Sequence, residues 1–548
     1  MSNKIIVSDR MYIPKTMMPK KAIEKRFKID LFDQKLCGKC ENEPNRPNDL
    51  CNGCDGWIAK YKLYKETANS WSVPQGDYLS LMKVLDRKGV DYDVVEKRKV
   101  YPMRFPIKFT GSLFGEGHID ENGIKRINQK KLLKTWFRYQ EGILKAKPRA
   151  GKTVMAGYAT CRLKQKTIIL ADRKELLKQF YRMFMGNPRL KRPAMTNIPE
   201  LQKKTGKEII RIAEKPKDLT NLEDIDILLV NYQKLVRDPK RMAALVEGNF
   251  SFLIVDEVHG AGAEGYLRVV ANASVRHRMG LSATPRRKDN RHKLIHRIMG
   301  PVVAESGMAS LIPEVRIKVS KALPPRNYKM WPHAMGWLCS NKAIQVELLK
   351  AIFHDLRNGH ECIVVALDRK KHIDMLTKMM NQQAKNNRLK KGEKWPKELA
   401  LKFYDDKGIN RDEVLAAVDR GGPTVLFGMR SMIKQGIDFE KPSKIHVFIP
   451  MSASTDRDTG APLFEQLSNR VATPAKKPQP VIDLWFHQVN FFKRCNIGLF
   501  WNEIWPNRVS DKNPNGKYRV SNQVMEQVKR ISDTSNSKAS QQSFEWAG

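Results

Sequence analysis

From about Arg126 onward the chain repeats one pattern: a short apolar run, a helical stretch, then another apolar run. A first series of runs falls at 142–146, 167–171, 226–230, 252–255 and 279–281. A second falls at 362–367, 399–404, 424–427, 444–449 and 481–484. Runs apolar at consecutive positions, rather than at every second one, belong to strands buried on both faces. Intervening helices supply the two covering layers and impose parallel connections. The expected fold class is therefore α/β, with two parallel-sheet domains in tandem. No apolar run approaches the roughly 18 to 20 residues of a membrane span, and the first residues carry no signal-peptide stretch, so a cytoplasmic, non-secreted protein is expected.

Chemistry-bearing residues stand where strands of the first series end. The run at 142–146 leads into AKPRAGKT (146–153), directly before a helical stretch. A phosphate cradle needs inward backbone N–H groups at a helix start, here at Ala150 and Gly151. It also needs a lysine for the β- and γ-phosphates (Lys152) and a hydroxyl for Mg²⁺ (Thr153). The other Gly-Lys pairs, at Gly38, Gly206 and Gly516, are not followed by Ser or Thr. The run at 252–255 ends in Asp256 and Glu257, with Val258 and His259 following. Two adjacent carboxylates there can divide the work of nucleoside triphosphate hydrolysis, one holding the metal and one orienting the attacking water. The run at 279–281 ends in Ser282-Ala283-Thr284-Pro285.

AxxxxGKT, DEVH and SATP, in this order and spacing, resemble motifs I, II and III of the superfamily 2 helicases and translocases, over roughly residues 75–505. The resemblance implies two RecA-like domains that close on ATP·Mg²⁺ once per turnover, with Lys152, Asp256, Glu257 and Arg470 as the hydrolytic residues. His259, Ser282 and Thr284 would couple closure to the nucleic acid. Gln129 is placed like the adenine-reading glutamine, Gln140 being its competitor, and Arg173 falls in a segment similar to motif Ia. Residues 230–233 resemble the strand-end motif before the acidic box, and residues 364–369 resemble motif IV. Gly436 and Asp438 fall in a motif V-like segment, and Gln466 and Arg470 in a motif VI-like one. There Asn469 stands where glycine is usual and Thr473 where a second arginine is usual.

Four cysteines, Cys37, Cys40, Cys51 and Cys54, form C-x2-C-x10-C-x2-C. Two paired turns of this spacing complete a tetrahedron of thiolates around one structural Zn²⁺, and an iron–sulfur cluster is the chemical rival. Cys161, Cys339, Cys362 and Cys495 lie in apolar or helical stretches as ordinary thiols. Residues 77–88 read as a helix and 90–95 as a strand, a small α/β unit ahead of motif I. That unit resembles the N-terminal domain of XPB-like and UvsW-like members, which act on DNA. The phage UvsW type performs branch migration, fork regression and D-loop or R-loop unwinding.

The expected division is 1–60, an N-terminal extension with the zinc module; 61–115, the accessory domain; 116–310 and 311–510, the two RecA-like domains; and 511–548, a polar, partly disordered tail. A basic stretch at 385–397 offers Lys390, Lys391 and Trp395 as accessory nucleic-acid contacts. Aromatic residues between Trp485 and Trp505 follow the last strand at helical spacing and read as core.

Lys and Arg number 100 against 58 Asp and Glu, a net charge of +42, and a compact chain so charged calls for a polyanionic partner. Branched or duplex DNA is the expected partner, with no membrane, and the zinc module or the C-terminal tip at 544–546 can dock a protein. The expected function is ATP-dependent remodelling of branched DNA. RNA unwinding, a restriction-assembly motor and a non-enzymatic scaffold that retains the fold are the competitors. No nuclease-like block is visible to support the restriction motor.

Overall fold

The computed structural model describes residues 3–32, 58–119, 127–146, 150–171, 174–187, 193–232, 249–258, 267, 269–271, 273–282, 291–306, 311–328, 330–386, 395–396, 398–404, 409, 413–414, 417–418, 422–433, 441–452, 463–468, 471–472, 478–511, 513–514 and 516–536. The chain divides near residue 308 into two compact units.

The first unit opens with a small module: β1 (Lys4–Val7), β2 (Met11–Pro14), α1 (Lys20–Phe27), β3 (Lys28–Phe32), β4 (Ile58–Lys62), β5 (Lys65–Glu66), β6 (Ser70–Val73), α2 (Tyr78–Arg87) and β7 (Asp93–Glu96). One sheet runs β5-β6-β2-β1-β7, antiparallel except for β7, which lies parallel to β1. Strands from both sides of the expected 60/61 boundary share this sheet. Burial alternates along β1 and β2, as in strands with one face covered. A separate pair joins β3 to β4, with Phe32 opposite Ile58. The four zinc-candidate cysteines between them lie outside the described residues.

Next come α3 (Gln129–Tyr139), β8 (Glu141–Lys145), α4 (Lys152–Leu163), β9 (Thr167–Ala171), α5 (Lys174–Met185), α6 (Ile198–Thr205), β10 (Ile210–Ala213), β11 (Ile227–Asn231), β12 (Phe252–Val255), β13 (His277–Ser282) and, after helix Arg291–Met299, β14 (Val302–Glu305). They build a seven-stranded sheet, β10-β11-β9-β12-β13-β8-β14, with every pairing parallel. Strands β9, β11, β12 and β13 are buried at every position.

The second unit repeats the plan with β15 (Glu314–Val319), β16 (Cys362–Leu367), β17 (Ala400–Phe403), β18 (Thr424–Met429), β19 (Lys444–Val447) and β20 (Val481–Phe486), in the order β15-β20-β19-β16-β18-β17. These pairings are also parallel. The two-sheet α/β class read from the apolar runs is the observed one.

In the stretch expected as a polar, partly disordered tail, Arg519 exchanges backbone hydrogen bonds with Pro313 and Val315 beside β15, and helix Asn522–Asn536 packs with Val528 buried. One expectation in this unit changes. Trp395, expected as a stacking surface for bases, is 6% exposed and sits against Phe353 with ring centroids 5.4 Å apart. Its ring belongs to the core, because the apolar indole gains more by burial there than the surrounding basic residues would suggest. Trp485, Phe486, Phe492 and Phe500 are likewise buried.

Candidate active site

Because every strand of the seven-stranded sheet points the same way, their C-terminal ends share one edge. Ligands of open parallel sheets gather at that edge. Strands β8 and β12 flank β13 there, about 10 Å apart at the usual strand spacing. The segment after β8 carries the candidate phosphate loop, that after β12 the carboxylate pair, and β13 ends between them at Ser282. The backbone N–H of Ala146 donates to the Ser282 carbonyl at 2.9 Å, which ties the start of the loop to that strand end.

Gly151 stands at φ +75°, a left-handed conformation open to glycine, and α4 begins at the next residue without a side-chain cap. Uncapped first-turn N–H groups at a helix start favour an anion. Gln129 is the first residue of α3 and is buried. Its Oε1 accepts from the Phe114 N–H at 3.0 Å and its Nε2 donates to the Ala150 carbonyl at 2.9 Å. A Cβ on Gly151 would lie 2.2 Å from that Nε2. The Gln129 amide thus holds the phosphate loop by its backbone, a contact that spacing along the chain does not reveal. Gln140 instead forms the left-handed C-cap of α3.

Across β13, Asp256 is buried, and its N–H donates to the Leu170 carbonyl of β9 at 2.9 Å. Glu257 takes φ +45°, a conformation that costs a non-glycine residue about 1 kcal/mol or more and that collects at functional sites. The turn brings its Oε1 to 2.9 Å from the Lys152 Nζ, with the two side chains 31% and 12% exposed. Loop lysine, acidic residues and Ser282 therefore converge on one edge of one sheet. Thr153 lies half-buried in the first turn of α4. Two hard oxygen ligands, the Thr153 hydroxyl and the Asp256 carboxylate, suit Mg²⁺.

Of the remaining candidates, His259, Thr284, Arg173, Lys390, Lys391, Gly436, Asp438 and Arg470 lie outside the described residues. Gln466 falls in helix Leu463–Ser468, where only its backbone is described.

At the opposite edge of the sheet, Glu141 of β8 is register partner to Arg278 of β13, and both are buried. Burial pushes the Glu141 carboxyl up to about 7 and the Arg278 guanidinium down to about 10. In the second unit Asp355, His446 and Asp483 form the one buried His/carboxylate cluster among the described residues. Lys444 Nζ lies 2.8 Å from Asp355 and 3.1 Å from Asp483. Its ammonium supplies the cation such a cluster needs, and the group is a buried ion network rather than a metal site.

Residues 123–287 match the family described as "Type III restriction enzyme, res subunit". The chain is 20% identical over 397 residues to "Probable helicase D10" of Escherichia phage T5, covering 72% of this chain and 75% of that one. It is 24% identical over 244 residues to "Putative ATP-dependent RNA helicase L396" of Acanthamoeba polyphaga mimivirus, spanning 42% of this chain and 39% of that protein. Among solved structures, T4 UvsW aligns over 98% of this chain and 97% of its own, at 12% identity and a TM-score of 0.34.

Proposed function

We propose, for a chain that belongs with the superfamily 2 helicases, that it is an ATP-driven DNA translocase that remodels branched DNA. The observation that carries the hydrolytic part is the convergence of Gly151, Lys152, Asp256, Glu257 and Ser282 on one sheet edge, with the lysine and glutamate already 2.9 Å apart. The first-turn N–H groups of α4 and the Lys152 ammonium bind the β- and γ-phosphates and hold them in line. Asp256 and Thr153 hold Mg²⁺, which when bound neutralises charge on the phosphates. Glu257 orients the attacking water, and Gln129 keeps the loop in its binding conformation. Arg470 is assigned to the γ-phosphate by the resemblance. The Ser282 segment, tied to the loop through Ala146, passes the nucleotide state toward the nucleic acid.

The DNA part rests on the N-terminal module ahead of the phosphate loop and on the net charge of +42, which suits a phosphate-directed, sequence-tolerant grip. RNA unwinding is the alternative, supported by the name of the mimivirus relative. The family match on residues 123–287 covers the hydrolytic region alone and supports no nuclease activity. One ATPase panel with duplex, forked and single-stranded DNA and with RNA separates these readings. Strongest stimulation by forked or duplex DNA, abolished in Lys152→Ala, is the expected result. Strongest stimulation by RNA would replace the first reading with the second, and no hydrolysis with any nucleic acid would leave a binding scaffold.

A further inference from the structure

Asp77 is fully buried between two elements of different origin. Its Oδ2 lies 2.5 Å from Arg26 Nε of α1, in the N-terminal module, and its Oδ1 lies 2.5 Å from Arg297 Nη1 of helix Arg291–Met299, in the seven-stranded unit. Both guanidinium groups also stand over the ring of buried Phe27, at 5.9 and 5.8 Å. Beside Asp77, Gly76 lies so close to the helix that an added Cβ would be 2.1 Å from the Ile298 carbonyl oxygen. That same carbonyl accepts from Arg278 Nη1 at 3.0 Å, while Arg278 Nη2 donates to the Ala273 carbonyl at 2.7 Å. Arg278 is part of β13, the strand that ends at Ser282. An apolar core common to both parts, including Val7, Phe27 and Leu81 with Leu294, Ile298 and Met299, closes around the contact.

An unbroken chain of packed groups thus runs from β13 through Arg278 and Ile298 to Gly76, Asp77 and Arg297. Each member is either buried or hydrogen-bonded to the next, so a displacement of β13 is handed on rather than absorbed. We propose that Asp77 and Arg297 are positioning residues: they make a rigid joint that fixes the N-terminal module to the strand carrying Ser282, so that the module moves with the nucleotide state. The functional half of this proposal rests on the reading of the chain as an ATP-driven helicase. The mechanical half does not.

The test uses the full chain and two variants, Asp77→Asn and Arg297→Gln. The second leaves Asp77 paired with Arg26 inside the module, and so opens the joint without stranding a buried carboxylate. Calorimetric unfolding, ATPase without nucleic acid, and strand displacement per ATP hydrolysed on forked DNA are read together. In the unaltered chain the module and the seven-stranded unit unfold in one transition. In Arg297→Gln a separate module transition appears and ATPase without nucleic acid stays within about twofold, while displacement per ATP falls about tenfold. A separate module transition in the unaltered chain, or none in either variant, overturns the joint. A split transition with displacement per ATP unchanged overturns its coupling role. If the unaltered chain hydrolyses no ATP with any nucleic acid, the helicase reading fails, and calorimetry still decides the joint.

Discussion

The Nζ of Lys152 lies 2.9 Å from Oε1 of Glu257, joining loops that leave two strands separated by a third. The glutamate thus pairs with the ammonium that the phosphates require. Replacing Glu257 with Gln removes a partly exposed ion pair worth about 0.5 to 1 kcal/mol, and ADP affinity is expected to rise about two- to fivefold. The same substitution removes the group that orients the attacking water, and kcat for ATP is expected to fall about 100-fold or more. Nucleotide titration together with single-turnover hydrolysis checks both parts. A fall in both affinity and rate would contradict the competition.

Gly151 combines φ +75° with the Gln129 amide where a Cβ would go. Gly151→Ala is expected to abolish nucleotide binding while lowering stability by only about 1 to 3 kcal/mol. Isothermal titration beside a thermal melt tells this from global unfolding.

Trp395→Ala separates two roles for one side chain. With the indole in the core against Phe353, the substitution is expected to cost about 3 to 5 kcal/mol of stability. DNA affinity measured well below the lowered melting temperature is expected to be unchanged. Selective loss of DNA affinity at full stability would return Trp395 to the nucleic-acid surface.

Acid weakens the second unit through two histidines. Burial pushes both His372 and His487 down to about 4, and His487 Nε2–H donates to the Phe448 carbonyl at 2.6 Å. A depressed folded-state pKa means that the unfolded chain binds more protons between about pH 6.5 and 4. Stability from each ring is therefore complete above 6.5 and lost as pH falls through that window. Each histidine is expected to withdraw about 2 kcal/mol between pH 7 and pH 5. In the first unit His277, also near 4, is opposed by Glu141, whose raised value makes stability fall as pH rises from about 4.5 to 7. Denaturant unfolding followed by probes in each unit should show the second losing more between pH 7 and 5, and a reversed order would contradict the assignment.

How much of this could be read beforehand depended on where a strand sits in its sheet. Central strands such as β9, β12 and β16 are covered on both faces, so every residue is buried and nearly all are apolar, and the run stands out in the chain. β10, β14 and β15 lie at sheet edges, are only intermittently buried, and carry charged residues within them: Arg211, Glu305, and Glu314, Arg316 and Lys318. They were not among the expected strands. The phosphate loop and the acidic pair were legible because phosphate and metal chemistry dictates residue types at close spacing. The Gln129 contact with Ala150, and Asp77 between Arg26 and Arg297, depend on elements that only folding brings together, 220 positions apart in the Asp77–Arg297 case.

The cysteine segment at 33–57 gives a prediction of its own. One zinc per chain is expected by metal analysis of the purified protein, lost in a Cys37→Ser/Cys40→Ser double variant while ATPase without nucleic acid persists. Iron, or no metal, would overturn the module.

Phe32 and Ile58 stand opposite each other in the β3–β4 pair, so that segment leaves and re-enters the fold at neighbouring positions. Closing a loop across such a pair costs little more for a long connection than for a short one, each doubling of length adding only about 0.6 kcal/mol. The hairpin is in effect a socket. A connection of almost any length can join its two strands while β3 and β4 keep their register, Lys28 opposite Lys62 through Phe32 opposite Ile58.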